Sequence, residues 1–141
     1  MQAVVRSRVY PTEDRERVEK AIANIFADLS YAIVEDETYF EVQSSLNRVG
    51  SLDWLRQRIH ELKIIDAVRS RLLSNWSGSS TWLCLDKQAA FSGRVRIADD
   101  SEESPPLGFI EIVLQFDTEP EFQRFLTWFV PRTADGHVIE G

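Results

Sequence analysis

Thr81-Trp82-Leu83-Cys84-Leu85-Asp86-Lys87-Gln88-Ala89-Ala90-Phe91-Ser92-Gly93-Arg94-Val95-Arg96-Ile97 is the stretch on which the fold turns, together with the apolar run Leu107 to Phe116 that follows it. Thr81 to Asp86 reads as a strand, and Lys87 to Ala90 as a turn or short irregular piece. Phe91 to Ile97 reads as another strand, with Phe91, Gly93, Val95 and Ile97 on one face and Ser92, Arg94 and Arg96 on the other. Leu107 to Phe116 buries Ile110, Ile112 and Leu114 and shows Glu111 and Gln115 to water. Three strand signals without an intervening helix break a strict β-α-β alternation. They predict an α+β two-layer sandwich whose mostly antiparallel sheet has about five strands.

Upstream, Val4 to Tyr10 alternates as a strand, with Val5 and Val9 opposite Arg6 and Arg8. Pro11-Thr12-Glu13-Asp14 opens a helix in which Thr12 can cap free amides, and Val18, Ile22, Ile25 and Leu29 form its apolar stripe. A second strand is expected over Tyr39 to Ser44. From Ser51 to about Asn75 no Gly or Pro interrupts the chain, and Leu52, Leu55, Ile59, Leu62, Ile65, Val68, Leu72 and Trp76 recur every three or four residues. This predicts one long helix of roughly 35 Å. Its repeat is nearer 3.5 than 3.6, so the seam drifts around the helix, which then bends or serves two partners in succession. A helix longer than its own domain needs packs readily on a second chain, and a homodimer is the expectation. Downstream, Thr118-Glu119-Pro120-Glu121 is a capping box that places a helix through Phe122, Phe125, Leu126 and Phe129, ended by Pro131. The whole chain, 1 to 141, reads as one domain, with a mobile acidic loop over 98 to 106 and a short turn and strand in the tail.

Charge is spread unevenly. The chain has net charge −7, yet nine of its 16 Lys and Arg residues fall between positions 48 and 97, a block of net charge +5 between flanks of −4 and −8. That partition points to a basic surface for a polyanion on an otherwise acidic protein. The single cysteine, Cys84, sits in an apolar run and excludes an intramolecular disulfide. No run approaches the roughly 18 apolar residues of a membrane span, and a cytoplasmic protein without membrane partners is expected. With two histidines, one cysteine, no glycine-rich phosphate loop and no paired metal-ligand spacing, neither enzyme, metal nor cofactor is indicated.

Three groups of residues could meet RNA. On the predicted long helix, Arg56, His60, Lys63 and Arg71 fall within about 80° of one another; a solvated face paired with Glu61 or Asp66 explains the same stripe. Arg6, Arg8, Arg94 and Arg96 could decorate the open face of the sheet if their strands share it, with Tyr10 for stacking; cross-strand pairing with Glu41 and Glu111 is the alternative. Lys87-Gln88 beside two alanines could cradle a phosphate or a base edge, or else form a tight turn around Asp86. The functional expectation is non-catalytic RNA binding through residues 48 to 97, and the alternative is a dimeric protein-interaction module.

Several strings carry a family resemblance: Tyr10-Pro11-Thr12-Glu13-Asp14, Leu55-Arg56-Gln57-Arg58-Ile59, Asp66-Ala67-Val68-Arg69, Leu85-Asp86-Lys87-Gln88-Ala89-Ala90, Pro106-Leu107-Gly108, and Pro131-Arg132-Thr133 with Asp135-Gly136. In this order they resemble an archaeal family of small uncharacterised proteins described as RNA-binding. The family's fold is grouped with the large-subunit ribosomal protein that contacts 5S RNA. The resemblance runs from Val4 to Glu140, with Asp86 where the pattern leads one to expect Asn. It implies the α+β fold and an RNA partner.

Overall fold

The structure, a computed structural model, describes residues 1–35, 40–46, 48–98, 108–134 and 137–138. Its strands are β1 (Gln2–Val9), β2 (Tyr31–Glu35), β3 (Phe40–Leu46), β4 (Ser80–Asp86) and β5 (Phe109–Gln115), with a small hairpin of β6 (Thr133–Ala134) and β7 (His137–Val138). The helices are α1 (Arg15–Ala23), α2 (Asp53–Glu61), α3 (Ile65–Ser74), α4 (Lys87–Phe91) and α5 (Glu119–Phe129). The first five strands form one sheet in the order β2-β3-β1-β5-β4, antiparallel throughout. The α+β fold expected from the sequence is the one observed.

Strand alternation decides which side of the sheet the helices cover. Along β1, Ala3, Val5, Ser7 and Val9 are buried and Gln2, Val4, Arg6 and Arg8 exposed. The same parity on β5 buries Ile110, Ile112 and Leu114. Against this side pack Val18 and Ile22 of α1, Leu55 and Ile59 of α2, Val68 and Leu72 of α3, and Phe122, Leu126 and Phe129 of α5, in one continuous core. Burying such side chains contributes about 1.5–3 kcal/mol each. Among the described residues no helix covers the other side of the sheet.

Four local expectations change. Asp14, not Thr12, caps α1, accepting from the Glu16 amide at 3.2 Å, because Pro11 to Glu13 form a turn closed by Glu13 N–H on Tyr10 O. The predicted long helix is two helices. Lys63 takes a left-handed conformation (φ 59°), with its amide on His60 O (3.2 Å) and the Ile64 amide on Ile59 O (3.2 Å). These two bonds make a Schellman motif at the end of α2, with Lys63 at the position glycine usually fills and Ile59 and Ile64 as its apolar pair. The drifting seam therefore serves two helices in succession, and the long-helix premise for a dimer falls away. Next, Phe91 to Ile97 is not a strand. Asp86 accepts from the Gln88 and Ala89 amides and starts α4, Phe91 is its last residue, and Gly93 (φ 71°) turns the chain back. Only the end of this segment lies along β4, through Asp86 N–H to Arg96 O and Ala98 N–H to Cys84 O, both 2.9 Å. Finally, the sheet gains its fifth strand from β2. The acidic loop expected to be mobile lies, apart from Ala98, outside the described residues.

Candidate nucleic-acid interface

The sheet's uncovered face is assembled in rows. Cross-strand partners put Gln43, Arg6, Glu111 and Cys84 in one row, Ser45, Val4, Val113 and Trp82 in the next, and Gln2, Gln115 and Ser80 beyond that. On the other side of the Arg6 row, Arg8 stands opposite Glu41 on β3, and Phe109 opposite Asp86 on β4. Because the returning segment pairs with β4 at Leu85 and Ile97, Arg96 continues this row at the sheet's edge, its guanidinium 3.1 Å from Asp86 Oδ2 and its side chain 64% exposed. Arg6 and Arg8 stand two residues apart on β1, about 7 Å, whereas Arg96 lies across β5 and β4, about three spacings of 4.8 Å away. Arg6 donates from Nε to Glu111 Oε1 at 2.8 Å. Both readings of the strand arginines meet here for Arg6, Arg8 and Arg96, which share one open face with carboxylates beside them, whereas Arg94 lies in the loop before the β4 edge and on no strand of the sheet. Tyr10 does not join them, since its ring packs against Lys87.

Lys87 is wholly buried. Its ammonium donates to Arg8 O and to Glu13 Oε1, each at 2.8 Å, and lies 4.9 Å from the Tyr10 ring. Gln88 is exposed on the first turn of α4, and Arg94 is exposed just after Gly93. Gly108 (φ 80°) completes this corner, for a Cβ there would meet Tyr10 Oη at 2.8 Å. Three of the strings that carry the family resemblance thus converge on one buried ion pair. Their role here is to join the β1–α1 turn, α4 and the start of β5.

Two members of the helix stripe, Arg56 and His60, have a similar use, joined by Arg69 from outside it. Arg56 Nε, His60 Nε2 and Arg69 Nη1 reach the carbonyls of Trp128, Phe129 and Val130 at 2.7, 2.9 and 2.9 Å. Three consecutive carbonyls that α5 leaves unpaired at its C-terminus thereby receive donors, two of them cationic, where the helix dipole is negative. Because a carbonyl only accepts, His60 holds its proton on Nε2. The Arg56 guanidinium also sits 5.3 Å from the centre of the Trp128 ring. Lys63 is exposed at the α2–α3 junction and Arg71 half-buried on α3, on the helical side of the sheet and away from Arg6, Arg8 and Arg96. Among the other basic residues of the middle block, Arg48 pairs with Asp28 and Arg58 with Glu61. The cations that cluster in sequence are thus divided between two sides of the molecule. Among the described residues no three His, Cys, Asp or Glu side chains lie close enough to hold a metal ion, and no helix is long and apolar enough to cross a membrane.

A family model described as RNA binding matches residues 2–116, which include every strand of the five-stranded sheet. A UPF0201 protein of Thermococcus kodakarensis is 34% identical over 136 residues, covering 96% of this chain and 94% of that protein. The chain belongs to the UPF0201 family. A second relative, the UPF0200/UPF0201 protein of Archaeoglobus fulgidus, is 31% identical over 96% of this chain, which spans only 39% of that longer protein. The crystal structure of a UPF0201 protein from Methanococcus jannaschii superimposes with a TM-score of 0.83 at 27% identity, covering 99% of this chain and 100% of the other. The family and the α+β fold anticipated from the strings are therefore established for this UPF0201 chain.

The open face contains residues that a linear reading passes over: Gln2, Val4, Gln43, Trp82, Phe109, Val113 and Gln115. Their parity within each strand is visible in the sequence. That β1 lies between β3 and β5 is not, and the sheet order is what brings them together.

Proposed function

We propose that this UPF0201 chain binds RNA, without catalysis, on the uncovered face of its sheet. The observation that carries this reading is the one-sided placement of the helices, which leaves an antiparallel face set with Arg6, Arg8 and Arg96, the rings of Trp82 and Phe109, and several amides. Guanidinium groups hold phosphates, and unstacked bases lie on aromatic rings and arginine planes. The family model's description supports the partner, and its span coincides with the strands that build the face. The test is fluorescence anisotropy with a labelled structured RNA that includes single-stranded loops, between 50 and 200 mM salt. Each phosphate contact on a single strand contributes about 0.7 to the slope of log affinity against log salt. Replacing Arg6, Arg8 and Arg96 together by alanine is expected to lower that slope by about 2 and the affinity with it. Arg56→Ala and Lys63→Ala, on the helical side, should leave the slope unchanged. The face loses its claim if the triple variant, folded by circular dichroism, binds as the parent does.

A second reading, self-association, has its own observation. The β4 edge is covered by residues 96–98, whereas among the described residues β2 pairs only with β3, and Val34 and Phe40 near this edge are 42% and 49% exposed. An apolar edge strand is a template for another strand, and a second copy of β2 would satisfy it antiparallel about a twofold axis. Sedimentation should then show a dimer that Val34→Lys dissociates; a 16.3 kDa monomer at micromolar concentration ends this reading.

A further inference from the structure

The middle of the uncovered face is hollowed. A depression of about 500 Å³ is lined chiefly by Gln2, Val4, Arg6, Gln43, Val113 and Gln115, a size within the roughly 300–1,000 Å³ of small-ligand clefts. We infer that it seats one unpaired base of a single-stranded RNA. This rests on the RNA reading above and sharpens it.

The register supplies the argument. Val4 and Val113 are direct cross-strand partners and form an apolar floor. On one side of this floor stand Gln2 and Gln115, opposite each other; on the other stand Arg6 and Gln43, likewise opposite. Gln2 and Gln115 make no side-chain hydrogen bond among the described residues, and Gln43 spends only its Nε2 group, on Glu41 Oε1 at 2.7 Å. A carboxamide offers both donors and an acceptor, which is the pattern displayed by the hydrogen-bonding edge of a base. A flat apolar floor between two polar rims suits a ring with a π face and a polar edge.

Charge argues against a site for phosphate alone. The only cation lining the depression is Arg6, already engaged with Glu111, and the rest of its lining is neutral. A duplex fits no better, because its base edges are already paired and its readable surface is phosphate and 2′-hydroxyl. The row continues from Val113 to Trp82 on β4, where a half-buried indole offers a stacking surface for the adjoining base. A second depression of about 430 Å³ adjoins the first and shares Gln2 and Gln115 with it, bordered also by Ser79, Phe116 and Asp117. The hollow is therefore part of a track, which a strand can follow.

The experiment uses the full chain with labelled twelve-nucleotide U, A and C oligoribonucleotides and a hairpin of twelve base pairs, by anisotropy at 50 mM salt. At least one single strand is expected to bind about tenfold or more tightly than the hairpin. Val4→Arg is the decisive variant, since it fills the hollow while adding positive charge to the face. It should weaken single-strand binding about tenfold, as loss of one seated base does, whereas attraction to phosphate alone would strengthen it. Gln115→Ala, which removes little buried surface, should reduce single-strand binding and alter the preference among U, A and C while sparing the hairpin. Equal affinity for hairpin and strands, or tighter binding by Val4→Arg, overturns the base seat and leaves RNA binding by the face intact. No binding of any of these RNAs overturns both.

Discussion

Replacing Lys87 by methionine should destabilise the protein by about 3–5 kcal/mol, the cost of leaving a buried charge without its partner. With a urea dependence near 2 kcal/mol/M for a small domain, the unfolding midpoint should fall by about 2 M. The reason lies in how completely Glu13 depends on this lysine. Its side chain is 6% exposed. Oε1 accepts from the Lys87 ammonium at 2.8 Å and from the Tyr10 amide at 3.0 Å, while Oε2 is buried without a hydrogen bond. Removing the ammonium also leaves Arg8 O without its 2.8 Å donor. Glu13→Gln placed in the Lys87→Met background should recover part of the loss, because a neutral amide is cheaper to bury than a lone carboxylate. A loss under about 1 kcal/mol, or no recovery in the double variant, would refute this account. The pair also has a signature in alkali. Burial holds the Lys87 ammonium below the ordinary lysine value of 10.5, outweighing the opposite influence of Glu13. Over the range just below that value the unfolded chain binds more protons than the folded one, so stability from this group rises with pH, and the rise should be missing in Lys87→Met.

Phe122→Ala should cost a similar amount, about 3–5 kcal/mol. Phe122 is fully buried on α5, and its ring stacks on Trp76 with centroids 4.0 Å apart and planes 7° from parallel. Phe116, just beyond β5, lies 5.4 Å from Phe122 and 5.3 Å from Phe125, and Phe125 in turn stacks on Phe129 at 5.1 Å. The truncation removes the ring that joins the end of α3, the end of β5 and the first turn of α5 in one cluster. Leucine gives up the aromatic pairs, about 0.5–1.5 kcal/mol beyond their buried area, but leaves a much smaller cavity, so Phe122→Leu should lose distinctly less than Phe122→Ala. Chemical denaturation of the three proteins checks the order, and equal losses would show that the ring contacts, not the filled volume, carry the contribution.

The elements with clean periodicity are legible in the sequence: β1, β4, β5 and α5 stand where alternation, or a capping box followed by aromatics at helical spacing, puts them. The misreadings have particular causes. Phe91, Val95 and Ile97 keep a period of two, but Asp86 is a helix cap and two alanines follow it, so local capping outweighs the alternation. Between Leu62 and Ile65 neither Gly nor Pro marks the break, since a lysine occupies the left-handed position. Tyr31 to Glu35 is a five-residue edge strand whose burial does not alternate cleanly, and it offers little pattern to read. The candidate face is less legible for a different reason. A cation's effect depends on what stands opposite it in space. Arg56 and Arg69 meet helix carbonyls, Lys87 meets Glu13 from the first third of the chain, and only Arg6, Arg8 and Arg96 share the open face.

The RNA-binding family model ends at residue 116, and α5 begins at Glu119. A fragment cut at that boundary would keep every strand of the sheet, yet it would strip the α5 rings from Trp76 and Phe116 and the acceptors from Arg56, His60 and Arg69. The part of the chain that the RNA-binding model matches and the part that must fold together therefore differ in extent. Excised at the shorter limit, the open sheet face would come with an open wound on its back, and such a piece would clump before it could be tried against any ligand.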